Sequence, residues 1–265
     1  MQKTGYHSYR IMRYLILSDI HANYLALEAV LKHASSKRWE SLISLGDLVG
    51  YNTHPEVIIN SIKDLNPKVC LLGNHEELVF LAEENKLDDI KSSSIATQVA
   101  RRHYEQISAD NLAYLKTFKT SHIEKDSFWQ TTHASIRRKW EYIDSLKIAQ
   151  ENAPLMEKNL LLIGHTHIPK VYISINTARG DIWRTMSLKA HKNIYRVPPN
   201  AKVIFNPGSV GQPRDGIPLA SYAILDEEKR LIEHYRVEYD LMAQQRLIYE
   251  MDYPEQLARR LSNGR

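Results

Sequence analysis

The first 72 residues alternate short apolar runs with amphipathic segments, and this alternation constrains the fold more than any other feature. The apolar runs have the length typical of strands buried on both faces, and they cover residues 14–18, 41–45 and 69–72. Residues 25–33 and 56–65 carry apolar side chains at helical spacing, and Pro55 stands where the first turn of a helix accepts proline. The alternation predicts βαβ units and a mainly parallel sheet.

The rest of the chain contains predicted elements of both kinds. Residues 76–119 contain neither Gly nor Pro and are predicted to be helical, with a break near 108–111. A short helix is predicted at 254–261. Further strands, the last two forming a hairpin, are predicted at 128–132, 160–163, 171–175, 202–205, 220–225 and 231–238.

No linker, internal repeat or low-complexity tract separates these elements. Residues 12–265 are therefore predicted to form a single domain. Residues 1–11 are polar and contain no apolar signal core, so we expect a flexible extension, with Met12 as an alternative start.

Composition bounds the class of protein. The chain is 43% hydrophobic and 25% charged, as ordinary globular proteins are. The net charge of +4 comes without a dense basic run, which disfavours a nucleic-acid partner but leaves nucleotide substrates open. The lone Cys70 lies in an apolar run, so we expect a buried thiol and a cytoplasmic location. No apolar stretch is long enough to span a bilayer, and no membrane association is expected. Nothing in the sequence indicates the oligomeric state.

Side chains able to bind metals follow the predicted strands, where open α/β sheets place their sites. Each strand end contributes one or two of them, and together they are Asp19, His21, Asp47, Asn74, His133, His165 and His167. Residues two apart in an extended chain point to the same side, so each Asp-x-His or His-x-His pair is expected to reach one pocket.

The number and chemistry of these side chains predict two divalent ions that share one carboxylate. Seven ligands are too many for one ion, and Asp, Asn and His suit Mn, Fe, Zn, Ni or Co. Two ions bring four positive charges, of which Asp19 and Asp47 neutralise two. A water bridging the ions should lose a proton readily, since bound metals bring the pKa of water to about 7, and the resulting hydroxide would attack a phosphate ester.

The ordered motifs Asp19-Ile20-His21, Gly46-Asp47, Gly73-Asn74-His75-Glu76, His133 and Gly164-His165-Thr166-His167 resemble those of the calcineurin-like metallophosphoesterase superfamily. The resemblance covers most of the chain. It implies a four-layer α/β/β/α sandwich, here with a helical insertion, and two bound divalent ions, with Mn favoured.

The resemblance also implies roles for individual residues. Asp19, His21 and His167 would hold one ion, Asn74, His133 and His165 would hold the other, and Asp47 would bridge them. Asn74 and His75 would contact the phosphate, and His75 would protonate the leaving oxygen as the catalytic histidine.

The residues after Asp47 favour one branch of the superfamily. Protein Ser/Thr phosphatases and symmetrical diadenosine tetraphosphatases have an aspartate and an arginine where this chain has Gly50 and Tyr51. Together with residues 206–214, this pattern resembles the small YfcE-like phosphodiesterases, although Ala134 replaces the glycine usual after His133. A phosphodiesterase is therefore predicted. A nucleotide-directed phosphatase or pyrophosphatase remains the alternative, and a non-catalytic scaffold, as in the retromer complex, is less favoured.

Substrate contacts are predicted only from position. Arg214 lies in a loop rich in Gly and Pro, and Tyr51 and His54 follow Asp47, so all three are candidates to line a pocket for a small phosphoester. Arg137 and Arg138 are similar candidates. The helical segment 76–119 is a candidate partial lid. Like His54, four further histidines match no motif and are expected to be structural or on the surface: His103, His122, His191 and His234.

Overall fold

The computed structural model describes residues 12–89, 94–178 and 180–265. The predicted N-terminal extension, residues 1–11, lies outside these residues. Within them the chain forms twelve strands: β1 (Arg13–Leu17), β2 (Ser41–Ser44), β3 (Val69–Cys70), β4 (Ser121–Ile123), β5 (Trp129–Thr132), β6 (Leu160–Leu162), β7 (Lys170–Thr177), β8 (Gly180–Ser187), β9 (Lys192–Arg196), β10 (Ala201–Asn206), β11 (Ala220–Asp226) and β12 (Leu231–Val237).

Eight α-helices accompany the strands in the same ranges, and none of them is long and apolar enough to cross a membrane. They are α1 (Tyr24–Ala34), α2 (Pro55–Asp64), α3 (Asn74–Glu83), α4 (Ile95–Gln106), α5 (Ala109–Leu115), α6 (Leu146–Asn152), α7 (Leu241–Glu250) and α8 (Glu255–Asn263), with 3₁₀ turns at Leu87–Asp89 and Ala153–Leu155.

The strands form two six-stranded sheets of similar design. The first has the order β3-β2-β1-β11-β12-β9, and the second has the order β4-β5-β6-β10-β7-β8. In the first sheet β1, β2 and β3 are parallel, while β11, β12 and β9 add antiparallel strands. In the second sheet β5, β6 and β10 are parallel, and the other pairings are antiparallel. The sheets are therefore mixed, and the prediction of a mainly parallel sheet was wrong.

Strand register brings the carboxyl ends of the parallel strands to one edge of each sheet. In the first sheet Leu17 pairs with Ser44, and Ser44 pairs with Cys70. In the second, Thr131 pairs with Leu162, and Leu162 pairs with Phe205. The loops that follow these residues contain the predicted metal ligands except Asn74, which is the first residue of α3.

Apolar clusters show how the layers pack. One cluster fills the space between the sheets, with Ile16 and Ile43 from the first and Leu162 and Phe205 from the second. Helices α1 to α5 cover the outer face of the first sheet. Helix α6 and the following 3₁₀ turn cover the outer face of the second sheet, where Leu161 and Ile204 lie. The result is the predicted four-layer α/β/β/α sandwich.

The predicted insertion consists of α3, α4 and α5, and the break before α5 falls at Ser108. Side chains such as Val79, Ala100 and Leu112 pack into the cluster on the outer face of the first sheet. The insertion thus thickens the helical layer, and its action as a lid stays a prediction. The sequence did not predict β4, β8, β9, α6 or α7.

Candidate metal centre

The predicted ligands converge on one buried cluster. Asp19, His21, Asp47 and His167 form one group whose possible ligand atoms all lie within 4.8 Å of one another. Asp47, His133 and His165 form a second group within the same limit. Asp47 belongs to both, so this arrangement can hold two metal ions that share one carboxylate.

The turns that present these ligands are left-handed rather than extended. Five of the seven candidates have a positive φ: Asp19 (52°), His21 (49°), Asp47 (57°), His165 (66°) and His167 (59°). The expectation that extended chain directs both members of each pair into the pocket was therefore wrong. A non-glycine residue with positive φ is uncommon and is held in place by its surroundings, and such residues concentrate at functional sites.

Both carboxylates are tied to backbone amides. The Oδ1 and Oδ2 atoms of Asp19 each lie 3.1 Å from the amide nitrogen of His165, and Ser18 Oγ donates to Oδ2 at 2.6 Å. Asp47 Oδ1 accepts from the amide of His75 at 2.9 Å. Burial raises the pKa of Asp19 to about 7, so protons compete with a metal for this carboxylate near neutral pH.

Close backbone approach around the carboxylates explains two motif glycines. A Cβ built on Gly73 would overlap the carboxylate of Asp47. A Cβ built on Gly164 would overlap the Ser18 hydroxyl and approach Asp19. A side chain at either position would displace a candidate ligand.

Each of the four histidines in the cluster donates one ring N–H to a backbone carbonyl. The donors and acceptors are His21 Nδ1 to Val49 (2.8 Å), His133 Nδ1 to Leu45 (2.6 Å), His165 Nε2 to Trp140 (3.0 Å) and His167 Nδ1 to Gln212 (2.6 Å). These bonds leave the other nitrogen of each neutral ring as a lone-pair donor. Metal-binding histidines are held in this way, because the carbonyl fixes both tautomer and ring orientation.

Two of these lone pairs face each other. Nε2 of His21 lies 3.0 Å from Nε2 of His167, yet both rings already donate through Nδ1. Burial keeps the pKa of both histidines well below its ordinary value, so both are neutral near pH 7. Two acceptors at this distance repel unless a cation interacts with both. The geometry therefore fits a metal ion beside Asp19, His21 and His167.

The second group also has an unsatisfied atom. Asn74 Oδ1 is buried and has no hydrogen-bond partner among the described residues. His133 Nε2 lies 3.3 Å from Asp47 Oδ2. Although burial lowers the pKa of His133, the Asp47 and Asp19 carboxylates and the Leu45 carbonyl together outweigh burial and raise it to about 9. A metal ion could replace this proton and satisfy Asn74, so the residues fit a second ion.

His75 lies beside the cluster. Its ring centroid is 4.7 Å from that of His21 and 4.4 Å from that of Tyr51, and Nδ1 is buried without a hydrogen-bond partner among the described residues. Burial lowers the pKa of His75 to about 4. The ring is close enough to interact with a substrate bound at the cluster.

The structure distinguishes among the residues that were weaker candidates for substrate contact. The Arg214 guanidinium lies 5.5 Å from the ring centroid of Tyr51, which itself packs against His21 at 4.7 Å, so these two residues border the cluster. By contrast, the described side-chain contacts of His54 are with Thr53 and Tyr24 and not with a candidate ligand. Arg137 forms ion pairs with Glu141 and Glu151, which occupy its guanidinium.

Glu76 supports the candidate metal centre, a role that the sequence did not predict. Its carboxylate accepts backbone N–H bonds from Asp47 (3.0 Å), Leu48 (2.7 Å), Val49 (3.2 Å) and Gly73 (2.8 Å). The Glu76 carboxylate thereby attaches the turn that contains Asp47 to the first turn of α3. A glutamate three residues after a helix N-cap is a known capping signal, so its spacing from Gly73 could have identified it.

The segment after His133 supplies two aromatic residues that the sequence did not single out. The carbonyl of Trp140 positions His165, and the Tyr142 ring stacks on His165. Tyr142 also lies within electrostatic range of Tyr51 and Arg214. We refer to Tyr51, Tyr142 and Arg214 as the rim of the site.

His103, which was expected to be structural, is buried beside the loop that contains Tyr51. Its Nδ1 accepts a hydrogen bond from the Gly50 amide, and its Nε2 donates to the Asn52 carbonyl.

The layered fold and the shared-carboxylate cluster together define an α/β/β/α sandwich protein with a candidate dinuclear metal centre. The chain belongs to the calcineurin-like phosphoesterase superfamily, whose domain matches residues 12–230.

Several known proteins of similar length resemble this chain. An uncharacterized protein of Methanocaldococcus jannaschii is 34% identical over 257 residues, which cover 94% of this chain and 97% of the relative. The crystal structure of a metallophosphoesterase from Sphaerobacter thermophilus has a TM-score of 0.82 and 34% identity, covering 97% of this chain and all of that one. A hypothetical protein from Pyrococcus horikoshii shares the fold at a TM-score of 0.74 and 18% identity, with 96% and 98% coverage.

Proposed function

We propose that the protein is a metal-dependent phosphoesterase that hydrolyses phosphodiesters with a water molecule activated by two divalent ions. One observation carries the proposal: two groups of buried ligand atoms share the Asp47 carboxylate, and in the first group two lone pairs face each other at 3.0 Å. Two ions bound here would lower the pKa of a bound water and offset the charge of a phosphate.

The chain's own residues supply orientation and proton transfer. Asp47 holds the backbone of His75 through its Oδ1, so the carboxylate shared by both groups also positions the candidate catalytic histidine. The low pKa of His75 applies without substrate. An anionic phosphate beside the ring would favour the imidazolium form, which can then donate a proton to the leaving oxygen.

Arg214 supplies the positive charge at the rim. It is mostly buried, and none of the ion pairs found in the described ranges involves it. Its Nη2 and Nε atoms donate to Gln212 Oε1 at 2.8 and 3.3 Å, and the guanidinium also bonds the Tyr51 side chain. A phosphate oxygen would be bound by its remaining N–H groups. The preference for diesters rests on the resemblance of Gly50, Tyr51 and residues 206–214 to the small phosphodiesterases. Manganese as the ion and a cytoplasmic location also remain proposals.

A substrate panel tests this function. The purified chain, loaded in turn with Mn, Co, Ni or Zn, is assayed with bis(p-nitrophenyl) phosphate, p-nitrophenyl phosphate and a dinucleoside polyphosphate. We expect the diester to give the highest kcat/KM. Preference for the polyphosphate would instead indicate a nucleotide-directed enzyme.

Asp47→Asn is the matched control for the panel. We expect it to lose metal from both groups and to reduce kcat/KM by at least about a thousandfold on every substrate, the scale on which removing key transition-state stabilisation acts. A wild-type protein that bound two ions per chain and cleaved none of the three esters would contradict the proposal and favour a scaffold.

A further inference from the structure

Tyr142 presents an aromatic surface beside the metal centre. Its ring lies 4.3 Å from that of His165 with an interplanar angle of 13°, so one face is covered by a candidate ligand. The side chain is nevertheless 44% exposed. The exposed area must therefore come from its edge and its opposite face.

The backbone on both sides of Tyr142 is anchored. Before it, the Trp140 carbonyl accepts from His165, and the Trp140 indole donates to Glu77 Oε2 at 2.8 Å. After it, Ile143 is buried, and its carbonyl accepts from the Tyr172 hydroxyl at 3.1 Å. A ring fixed in this way loses little conformational freedom when a second ring stacks on it.

The position of the ring relates it to the substrate. Tyr142 lies over the second group of ligands through His165, while Tyr51 packs beside the first group through His21. A phosphate held by both groups and by Arg214 would place its ester substituent at the rim. The exposed face of Tyr142 is the apolar surface that this substituent would meet there.

We propose that Tyr142 is a stacking platform for a planar ring on the substrate, which makes aryl or nucleoside phosphoesters the substrate class. This inference rests on the proposed phosphoesterase function and deepens it. Aryl and nucleoside substituents share the chemistry that matters, a flat π-surface next to the phosphate. A Tyr142 that only shields His165 would show no such selectivity.

Binding of non-hydrolysable phosphonates tests the proposal without depending on turnover. The Mn-loaded protein is titrated calorimetrically with ethyl-, cyclohexyl- and phenylphosphonate and with a thymidine 5′-phosphonate. We expect phenylphosphonate to bind about tenfold more tightly than ethylphosphonate, the size of one stacking contact. Cyclohexylphosphonate has similar bulk without planarity and should not share this gain.

Variants assign the selectivity to one ring. Tyr142→Leu should bring the phenyl-to-ethyl affinity ratio close to one, and Tyr142→Phe should keep it. Tyr249→Leu, at a tyrosine of similar exposure on α7, is the matched control and should leave the ratio unchanged. Metal content measured for each variant shows whether His165 still binds its ion.

The outcomes separate this inference from the proposed function. Tighter binding of phenylphosphonate together with the thymidine compound supports a nucleoside substrate, and phenyl selectivity alone supports an aryl substrate. A wild-type ratio near one, or a ratio retained in Tyr142→Leu with both ions bound, overturns the platform and leaves the phosphoesterase function standing. Failure of the metal-loaded protein to bind any phosphonate contradicts both.

Discussion

The ligand cluster and its rim are held by different kinds of contact. In the cluster, backbone groups orient the side chains: carbonyls hold all four histidines, and amides hold both carboxylates. At the rim, side chains hold one another, as Arg214 does with Gln212 and Tyr51. Backbone contacts survive most substitutions of neighbouring residues, while side-chain contacts change with sequence. The cluster is therefore suited to a fixed chemistry, and the rim to a variable substrate.

Gly50 lies where the cluster meets the rim. Among residues that are not candidate ligands, we predict the largest loss of kcat for a substitution at this position. Its φ is +93°, and an added Cβ would overlap the ring of His75. In Gly50→Ala we expect kcat to fall on the order of ten- to a hundredfold, because a displacement of about 1 Å can cost that much, while both ions remain bound.

Gly180→Ala is the matched control for this substitution. Gly180 has a similar φ of +102°, but its Cβ would enter open space. Both variants should lose stability through backbone strain, measured as Tm, and only Gly50→Ala should lose kcat. Equal kcat values in the two variants would show that the position of His75 does not matter to the reaction.

The sequence predicted the cluster because its ligands are specified by residue type at strand ends. Singly, such residues are common in turns, but five motifs in order at strand ends indicate one site, and the βαβ pattern showed that the ends meet at one edge. The superfamily and the four layers were also confirmed. The reason given for the pairs Asp19–His21 and His165–His167 was wrong, since the enrichment of Asp and His in left-handed conformations is too weak a signal to predict these turns.

The parts that the sequence did not predict depend on tertiary contacts. Strand β8 is exposed along most of its length and lacks the apolar alternation that marks a half-buried strand. At the rim, stacking of Tyr142 on His165 joins residues 23 positions apart, and no local pattern encodes it. Trp140 acts through its carbonyl, which every residue has, so its identity carries no signal for that role.

The electrostatics of the cluster predict a smaller effect, a dependence of metal affinity on pH. The pKa of His133 is raised to about 9 by Asp47 despite burial, so in the metal-free protein this ion pair stabilises the fold fully below the ordinary pKa and is lost as pH rises through 9. Metal binding must displace the same proton. Affinity should therefore rise about twentyfold from pH 7 to pH 8.5, as the neutral fraction of His133 rises.

Calorimetric titration of the metal-free protein with Mn in two buffers of different ionisation enthalpy measures this effect directly. Binding at pH 7 should release a proton from His133, and the release should decline toward pH 9. An affinity that stays constant across this range would mean that His133 is already neutral and that the cluster is prepared for metal without proton exchange.

The smallest effect that we predict is a rise in KM in Arg214→Leu. This variant tests whether the rim contributes to substrate binding through its side chains. Arg214→Leu should raise KM on the order of tenfold, about the value of one hydrogen bond to a charged group, with the metal content unchanged. Arg259→Leu, at an exposed arginine on α8, is the control and should not change KM.

Gln212→Met removes the acceptor of Arg214 but keeps the backbone carbonyl that holds His167, so it should raise KM without loss of metal. If Gln212 acts through Arg214, then Gln212→Met should have no further effect in the Arg214→Leu background. Additive effects, or loss of metal in Gln212→Met, would instead place Gln212 within the framework of the cluster and erase the distinction between backbone-held ligands and a rim held by side chains.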